Sequence, residues 1–272
     1  MAFKTLLTHV VDDPHCDSRL RMTASVARAL GAEVIGLGAL APWPYTSATD
    51  GHGADFDRIV EGARATIAVA AERFDALLGV AGVRGTWRAE IGYPDMIAPS
   101  HARAADLIVA YPVGASVDRI SYTSPDVLVM EAGLPVLLIP REEAEFQPER
   151  VLVAWKNTRE SRRAISAALP FLTKAAGVTI ASVCGKDEAD RVRAEQADVA
   201  ERLARHGVPA TTLVEIDTPA AAGARLLGIA RGEQAGLVVS GGYGHSRLRE
   251  WVLGGVTQDL IRDGGRYVLL SH

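Results

Sequence analysis

The stretch "VEIDTPAAAGARLLGIARGEQAGLVVSGG", Val214 to Gly242, repeats the plan of an earlier one, "AEIGYPDMIAPSHARAADLIVAYP", Ala89 to Pro112. In both, a strand-like run ends in Ile-x-x-Pro, a helix-length segment follows, and a short apolar run closes the unit. A proline three residues beyond a strand's end reads as the first residue of a helix, and a buried four-to-six-residue apolar run after that helix reads as the next parallel strand. The pairing of "ADLIVA" (105–110) with "AGLVVS" (235–240) extends the correspondence. Such a period is far longer than a solenoid repeat, so the chain is expected to hold two whole domains of one kind.

Working outward, the first half offers strands at Thr5 to Val11, Glu33 to Leu40, Gly85 to Ile91, Asp106 to Tyr111 and Pro135 to Pro140. The second half offers Arg150 to Trp155, Val178 to Val183, Thr211 to Ile216, Gly236 to Gly241 and Arg266 to Ser271. Helices fall between them, the pattern of βαβ units and a parallel sheet. In "SRLRMTASVARALG" (18–31), Leu20, Val26, Ala27 and Leu30 share a helical face and Gly31 stands at a left-handed C-terminal cap. Asn157 with Glu160 reads as a capping pair, Gly177 as a C-cap, and Thr218 with Pro219 as an N-cap followed by proline, mirrored by Tyr93 and Pro94. "REEAEFQPER" (141–150), charged and proline-bearing, marks the junction, giving domains over 1–143 and 148–272. "APWPYTSATDGHGADF" (41–56) reads as an ordered surface loop or lid more than a helix.

Composition narrows the function classes. With 272 residues, 48% of them hydrophobic and 23% charged, the chain is an ordinary globular one. A formal charge of -4 supplies no global field for a polyanion, so nucleic acid and acidic membrane surfaces are not expected partners. Cys16 and Cys184 are far apart and without ligand spacing, which suggests neither a disulfide framework nor a zinc site and fits a reducing compartment. His9, Asp12 and Asp13 interrupt the N-terminal apolar run, and no run approaches the roughly 20 residues that span a bilayer. A cytoplasmic location is expected.

Open parallel sheets bind ligands beyond the carboxyl ends of their strands where the strand order reverses, which singles out the loops after the first and fourth strands of each half. After the fourth strand of the second half comes "SGGYGHSRLREWVLGGVTQDL" (240–260). Glycines there let backbone N–H groups approach phosphate oxygens, and the following helix adds its positive end. Other anion motifs fail on the letters. The SGGxDS loop of ATP pyrophosphatases lacks its aspartate, a GxGxxG started at Gly242 meets Arg247, and neither GxxxxGK[ST] nor GxSxG is present. His245, Ser246 and Asp259 make a poor hydrolytic set, with no oxyanion-hole motif beside them. Arg247 and Arg249 flank the loop and are read as solvated or phosphate-facing. Trp43, Trp87, Trp155 and Trp251 are read as packing or interface residues.

The spacing Gly241-x-x-Gly244, nine residues, then Gly254 resembles that of the universal stress protein family (UspA-like), whose ATP-binding members carry G-x2-G-x9-G-[ST] in this place. The resemblance covers the whole chain. It implies two tandem α/β domains of the Rossmann-like, adenine nucleotide α-hydrolase-like kind, each a five-stranded parallel sheet flanked by helices, with strand order 3-2-1-4-5. The domains would pair through their fifth strands as an intramolecular pseudo-dimer, a further homodimer remaining open. The resemblance further implies a non-catalytic stress-response module sensing or carrying ATP or another adenine nucleotide, with Mg only alongside it, and an unidentified protein partner. A nucleotide-free scaffold or interaction module is the alternative, and a weak ATPase the third.

Departures from the family pattern bear on the site. Gly255 stands where the family has Ser or Thr, with Val256 and Thr257 following, and Lys156 and Asn157 stand where a nucleotide-binding member has an aspartate in the loop after the first strand. In the first half Asp12 is present, but "AYPVGASVDRISYTSPDVL" (110–128) keeps only Gly114 and puts Ser124 and Pro125 at the positions of Gly254 and Gly255. The second domain is therefore the expected site: Gly241, Gly244, Gly254, Gly255, Val256 and Thr257 at the phosphates, Lys156 and Asn157 beside them, and the backbone near Val183 facing adenine.

Overall fold

A computed structural model describes residues 3–42, 53–112, 121–243 and 255–272. The chain divides into two compact units: residues 3–133 with 143–145, and residues 134–142 with 146–272. Both are α/β, and among the described residues no helix is long and apolar enough to cross a membrane.

The N-terminal unit runs β1 (Thr5–His9), α1 (Cys16–Leu30), β2 (Glu33–Leu40), α2 (Gly53–Ala81), β3 (Gly85–Ile91), α3 (Pro94–His101), β4 (Leu107–Ala110) and α4 (Pro125–Glu131). Its strands lie in the order β3-β2-β1-β4, all parallel. The α1 face is as expected at Leu20, Val26 and Ala27, which are buried, while Leu30 is half-buried; Gly31 closes the helix in the left-handed region at φ 63°. Phe74 of α2 packs against Trp87 of β3 with ring centroids 5.4 Å apart. The expected loop over 41–56 is corrected at its end, because α2 starts at Gly53; its apolar positions Ala63, Ile67, Ala70, Phe74 and Leu78 form the stripe that holds it to the sheet. Residues 43–52, with Trp43, lie outside the described residues.

The C-terminal unit comprises β5 (Val136–Leu138), β6 (Arg150–Ala154), α5 (Arg159–Leu172), β7 (Gly177–Cys184), α6 (Ala189–Arg205), β8 (Ala210–Ile216), α7 (Ala222–Gly232), β9 (Leu237–Gly241), α8 (Gly255–Asp263) and β10 (Tyr267–Ser271). Strand order is β5-β10-β9-β6-β7-β8. Neighbours are parallel except β5 and β10, the two fifth strands of the duplication, which pair antiparallel with Leu137 opposite Leu269. Read from β8 to β10, the unit repeats the 3-2-1-4-5 order of the resemblance.

The charged junction carries an apolar anchor. Phe146 is buried edge-on against Phe171 at 5.4 Å and Tyr267 at 4.8 Å. Helix α5 presents Ala164, Ile165, Ala168, Phe171 and Leu172 as one buried stripe. The expected capping details shift there. Thr158, not Asn157, is the N-cap, its hydroxyl accepting the Ser161 N–H at 3.3 Å. Gly177 opens β7, whereas α5 ends at Leu172 with Thr173 as its C-cap. Thr218 leads into one 3-10 turn, Pro219–Ala221, before α7, and makes no side-chain cap bond; Pro94 does open α3 as expected.

Leu137 and Leu269 are fully buried where β5 and β10 meet. A carboxylate there would be an unpaired charge in an apolar core, so Leu137→Asp is expected to cost about 4 kcal/mol or more, measured by urea unfolding of the whole chain. A cost below about 1 kcal/mol would contradict the pairing.

Candidate functional site

In the C-terminal unit, β6 and β9 lie side by side, and the segments leaving their carboxyl ends meet. From β6 the chain passes Trp155, Lys156 and Asn157 to the cap residue Thr158. The base of this loop is fixed by the neighbouring strand: the Trp155 N–H donates to the Ala181 carbonyl at 2.7 Å, and the Ser182 hydroxyl donates to the Trp155 carbonyl at 2.9 Å. Gln196 of α6 holds that serine in turn through Nε2 at 2.9 Å. Lys156 and Asn157 are exposed, the latter accepting from Arg162 Nη1 at 2.7 Å. Asn157 thus tethers an arginine side chain instead of the helix end.

Glu160, in the first turn of α5, turns inward and is 1% exposed. Burial alone would raise its carboxyl, but hydrogen bonds from the Arg159 guanidinium, its own backbone N–H and the Thr158 hydroxyl hold it below the usual carboxylate range. Its oxygen Oε1 takes the Arg159 Nε bond at 2.5 Å, while Oε2 is buried and without a hydrogen-bond partner among the described residues. The helix end therefore already carries an anion of its own.

Gly241 ends β9 directly on this turn. A Cβ placed on it would stand 2.6 Å from the Ser161 nitrogen and 2.9 Å from the Glu160 Cβ, so no side chain fits. The next amides are committed internally: Gly242 N–H donates to the Ser271 carbonyl at 2.8 Å and Tyr243 N–H to the Thr257 hydroxyl at 3.3 Å. Tyr243 is buried at φ 49°, a left-handed backbone unusual for a bulky residue, and its hydroxyl accepts from Gln258 Nε2 at 3.1 Å. The first turn of α8 faces the same segment. Gly255 is exposed with nothing within 4 Å of an added Cβ, Val256 is half-buried, and Thr257 is buried by its bond to Tyr243.

Of the expected site residues, the structure brings Gly241 against the α5 terminus and Thr257 against Tyr243. Val183 stands on the stretch of β7 that continues past Ala181, the last residue paired with β6, and it pairs on its other side with Glu215. Gly244 and Gly254 lie outside the described residues, as do His245, Ser246, Arg247, Arg249 and Trp251. Asp259, named with His245 and Ser246 as a poor hydrolytic set, is half-buried, and its Oδ2 fills the place a side chain on Gly223 of α7 would take. Glu160 and Tyr243 were not expected in the site. A glutamate two residues after a cap threonine is ordinary in sequence, and only the glycine opposite it makes it enclosed.

The corresponding region of the N-terminal unit is filled by its own charges. Asp12 accepts from Arg73 Nη1 of α2 at 2.5 Å. Asp13 accepts from Arg19 Nη1 at 2.9 Å and from the Tyr122 hydroxyl; burial would raise its carboxyl, and these two partners hold it low. The Arg19 guanidinium also donates to the Val11 carbonyl and lies over the Tyr111 and Tyr122 rings at 5.3 and 5.9 Å. Beside it is a small cleft of about 30 Å³, lined by Leu7, Ala98, Ile108 and Leu128. Ser124, at the position of Gly254, uses its N–H on Asp95 at 2.6 Å, and Pro125 begins α4. Gly114 lies outside the described residues.

His9 in this cleft has both ring nitrogens engaged, Nε2 with the Ala39 carbonyl at 2.9 Å and Nδ1 with the Thr123 hydroxyl at 3.1 Å. A carbonyl can only accept, so Nε2 carries the proton and Thr123 donates to Nδ1. Burial first, and the Arg19 charge after it, bring the imidazole down to about 4, against the Ala39 bond that favours the charged ring. Cys16 and Cys184 are free and buried, and burial pushes both thiols up.

Comparison with solved structures places this architecture. A universal stress protein from Archaeoglobus fulgidus DSM 4304 superposes with a TM-score of 0.75 at 16% identity, over 98% of this chain and 95% of that one. A protein of unknown function from Pseudomonas aeruginosa PAO1 gives 0.62 at 14% identity, over 99% and 92%. A universal stress protein from P. aeruginosa UCBPP-PA14, so described provisionally, gives 0.61 at 16% identity, over 99% and 93%. The chain has the fold of these proteins along its whole length. No protein-family model matches it, and no curated protein does.

Two measurements check these sites. Above pH 6.5 His9 is neutral folded and unfolded; as pH falls towards 4 the unfolded chain takes up a proton that the folded chain refuses, so stability is lost. By pH 4.5 this contribution amounts to roughly 2 to 3 kcal/mol. Urea unfolding at pH 7 and pH 4.5 is expected to show that much less pH dependence in His9→Gln than in the natural chain. Second, Gly241→Ala is expected to destabilise by about 1 to 3 kcal/mol through overpacking, whereas Gly255→Ala leaves stability unchanged or raises it by up to about 1 kcal/mol. Equal effects in thermal unfolding would contradict the close approach at Gly241.

Proposed function

We propose that the chain is a tandem universal stress protein of the cytoplasm, a non-catalytic stress-response module that senses or carries an adenine nucleotide in its C-terminal unit. The observation that carries this reading is Gly241. It ends β9 at the carboxyl edge of the parallel sheet, beside β6 and against the first turn of α5, and that edge is where a parallel α/β sheet accepts a ligand. The ledge of β7 beyond β6, at Val183, offers backbone to a flat base. Gly255, Val256 and Thr257 open α8, and Lys156 is a free-reaching cation at the rim. Gly244 and Gly254 complete the proposed cradle by sequence spacing, and Mg2+ would enter only with the nucleotide.

Asp259 packs against Gly223 instead of standing free as a base, which supports binding over catalysis. The N-terminal unit supports a scaffold reading for itself, since its loop acids are spent on Arg73 and Arg19.

Mass spectrometry of small molecules released from gently purified protein is expected to find an adenine compound near one per chain. Calorimetry should show Gly255→Ser binding it up to about tenfold tighter, the value of one added hydrogen bond. A natural chain and a variant that both bind no adenine compound would leave the scaffold reading.

A further inference from the structure

In the N-terminal unit, successive residues between β4 and α4 are each tied to a titratable side chain of another element. The Tyr122 hydroxyl donates to Asp13 in the loop after β1, the Thr123 hydroxyl to His9 Nδ1 of β1 at 3.1 Å, and the Ser124 N–H to Asp95 Oδ1 of α3 at 2.6 Å. Thr123 and Ser124 are buried although they belong to no strand or helix. His9, by contrast, stands on a strand paired on both sides, with β2 and with β4. A change of charge at His9 must therefore be met by the segment opposite it.

That charge has no compensation in the closed arrangement. A proton added at Nδ1 turns the acceptor of the Thr123 bond into a donor, facing a hydroxyl that is itself donating. The polar groups lining the cleft with His9 are the Arg19 guanidinium of α1, already a cation, with Tyr111, Tyr122 and Thr123, while α3 and α4 contribute Ala98 and Leu128. Asp13, the nearby acid, is committed to Arg19 and Tyr122. A cleft of about 30 Å³ has too little room to hydrate an imidazolium.

We infer that residues 121–124 form an acid-released latch: protonation of His9 drives Thr123 off β1 and opens the cleft onto Leu7, Ile108 and Leu128 while the sheet stays folded. The released ring reaches water and the Arg19 charge is no longer confined with it. Protonation of Asp13 and Asp95 at still lower pH weakens the flanking bonds in the same direction.

The test is hydrogen–deuterium exchange on the intact chain at pH 7 and pH 4.5, read as protection factors so that the intrinsic pH dependence of exchange is removed. His9 titrates near 6.5 when released and about 4 when held, so residues 122–128 are expected to lose protection on the order of fiftyfold between the two conditions. Strands β1 and β2 should stay the more protected at both. His9→Gln keeps a donor for the Ala39 carbonyl and removes the titration, so the loss should shrink to severalfold, the share of Asp13 and Asp95. Tyr122→Phe leaves His9 in place and removes the Asp13 bond; the segment should be less protected already at pH 7 and open further in acid, which decides the matter if the His9 variant does not fold. Loss of protection in 122–128 and β1 together, no acid loss in the natural chain or in Tyr122→Phe, or an acid loss as large in His9→Gln as in the natural chain overturns the inference.

Discussion

The close approach of Gly241 to the first turn of α5 organises the C-terminal unit. With 2.6 Å between the Ser161 nitrogen and the place a Cβ would occupy, β9 can run its full length only because that residue has none. The contact draws α5 across β9 and β10, turns Glu160 inward, and leaves residues 241–243 as the wall between the ends of α5 and α8. Tyr243 then has to take a left-handed backbone, and it is held there by Thr257 and Gln258. The Gly242 and Tyr243 amides, which lie nearest this contact among the described residues, are engaged within the protein.

Much of the fold was legible because its signals are local. The strands over Glu33–Leu40 and Gly85–Ile91 have the bounds that their apolar pattern and glycine stops imply, and Gly31 caps α1 as its position suggests. The ends of other elements moved by a residue or two where the next hydrogen bond is made across the sheet. Thr158 outcompeted Asn157 as cap because Asn157 found Arg162. The start of α2 escaped notice because Gly53 and Asp55 read as turn residues, while the stripe that fixes the helix lies a further turn along.

The site was less legible, for a physical reason. Glycine spacing is a pattern in one dimension, but what a glycine admits depends on which side chain stands opposite. The sequence pointed to Gly241 and Thr257, yet it had no means of showing that the Thr257 hydroxyl serves Tyr243, or that Glu160 lies enclosed beside them. In the N-terminal unit likewise, Arg19 sits on the apolar helix α1 and looks like a surface residue, but it is buried between two tyrosines and an aspartate. Charges that pair over 56 or more residues, as Arg73 does with Asp17 and Asp12, carry no local trace.

Strand β5 follows the N-terminal unit along the chain but belongs to the other compact unit, where it covers the open edge of β10. A chain beginning at Arg150 would have that edge bare and would expose an otherwise buried strand, Tyr267–Ser271 with Val268, Leu269 and Leu270 at its centre, to other chains.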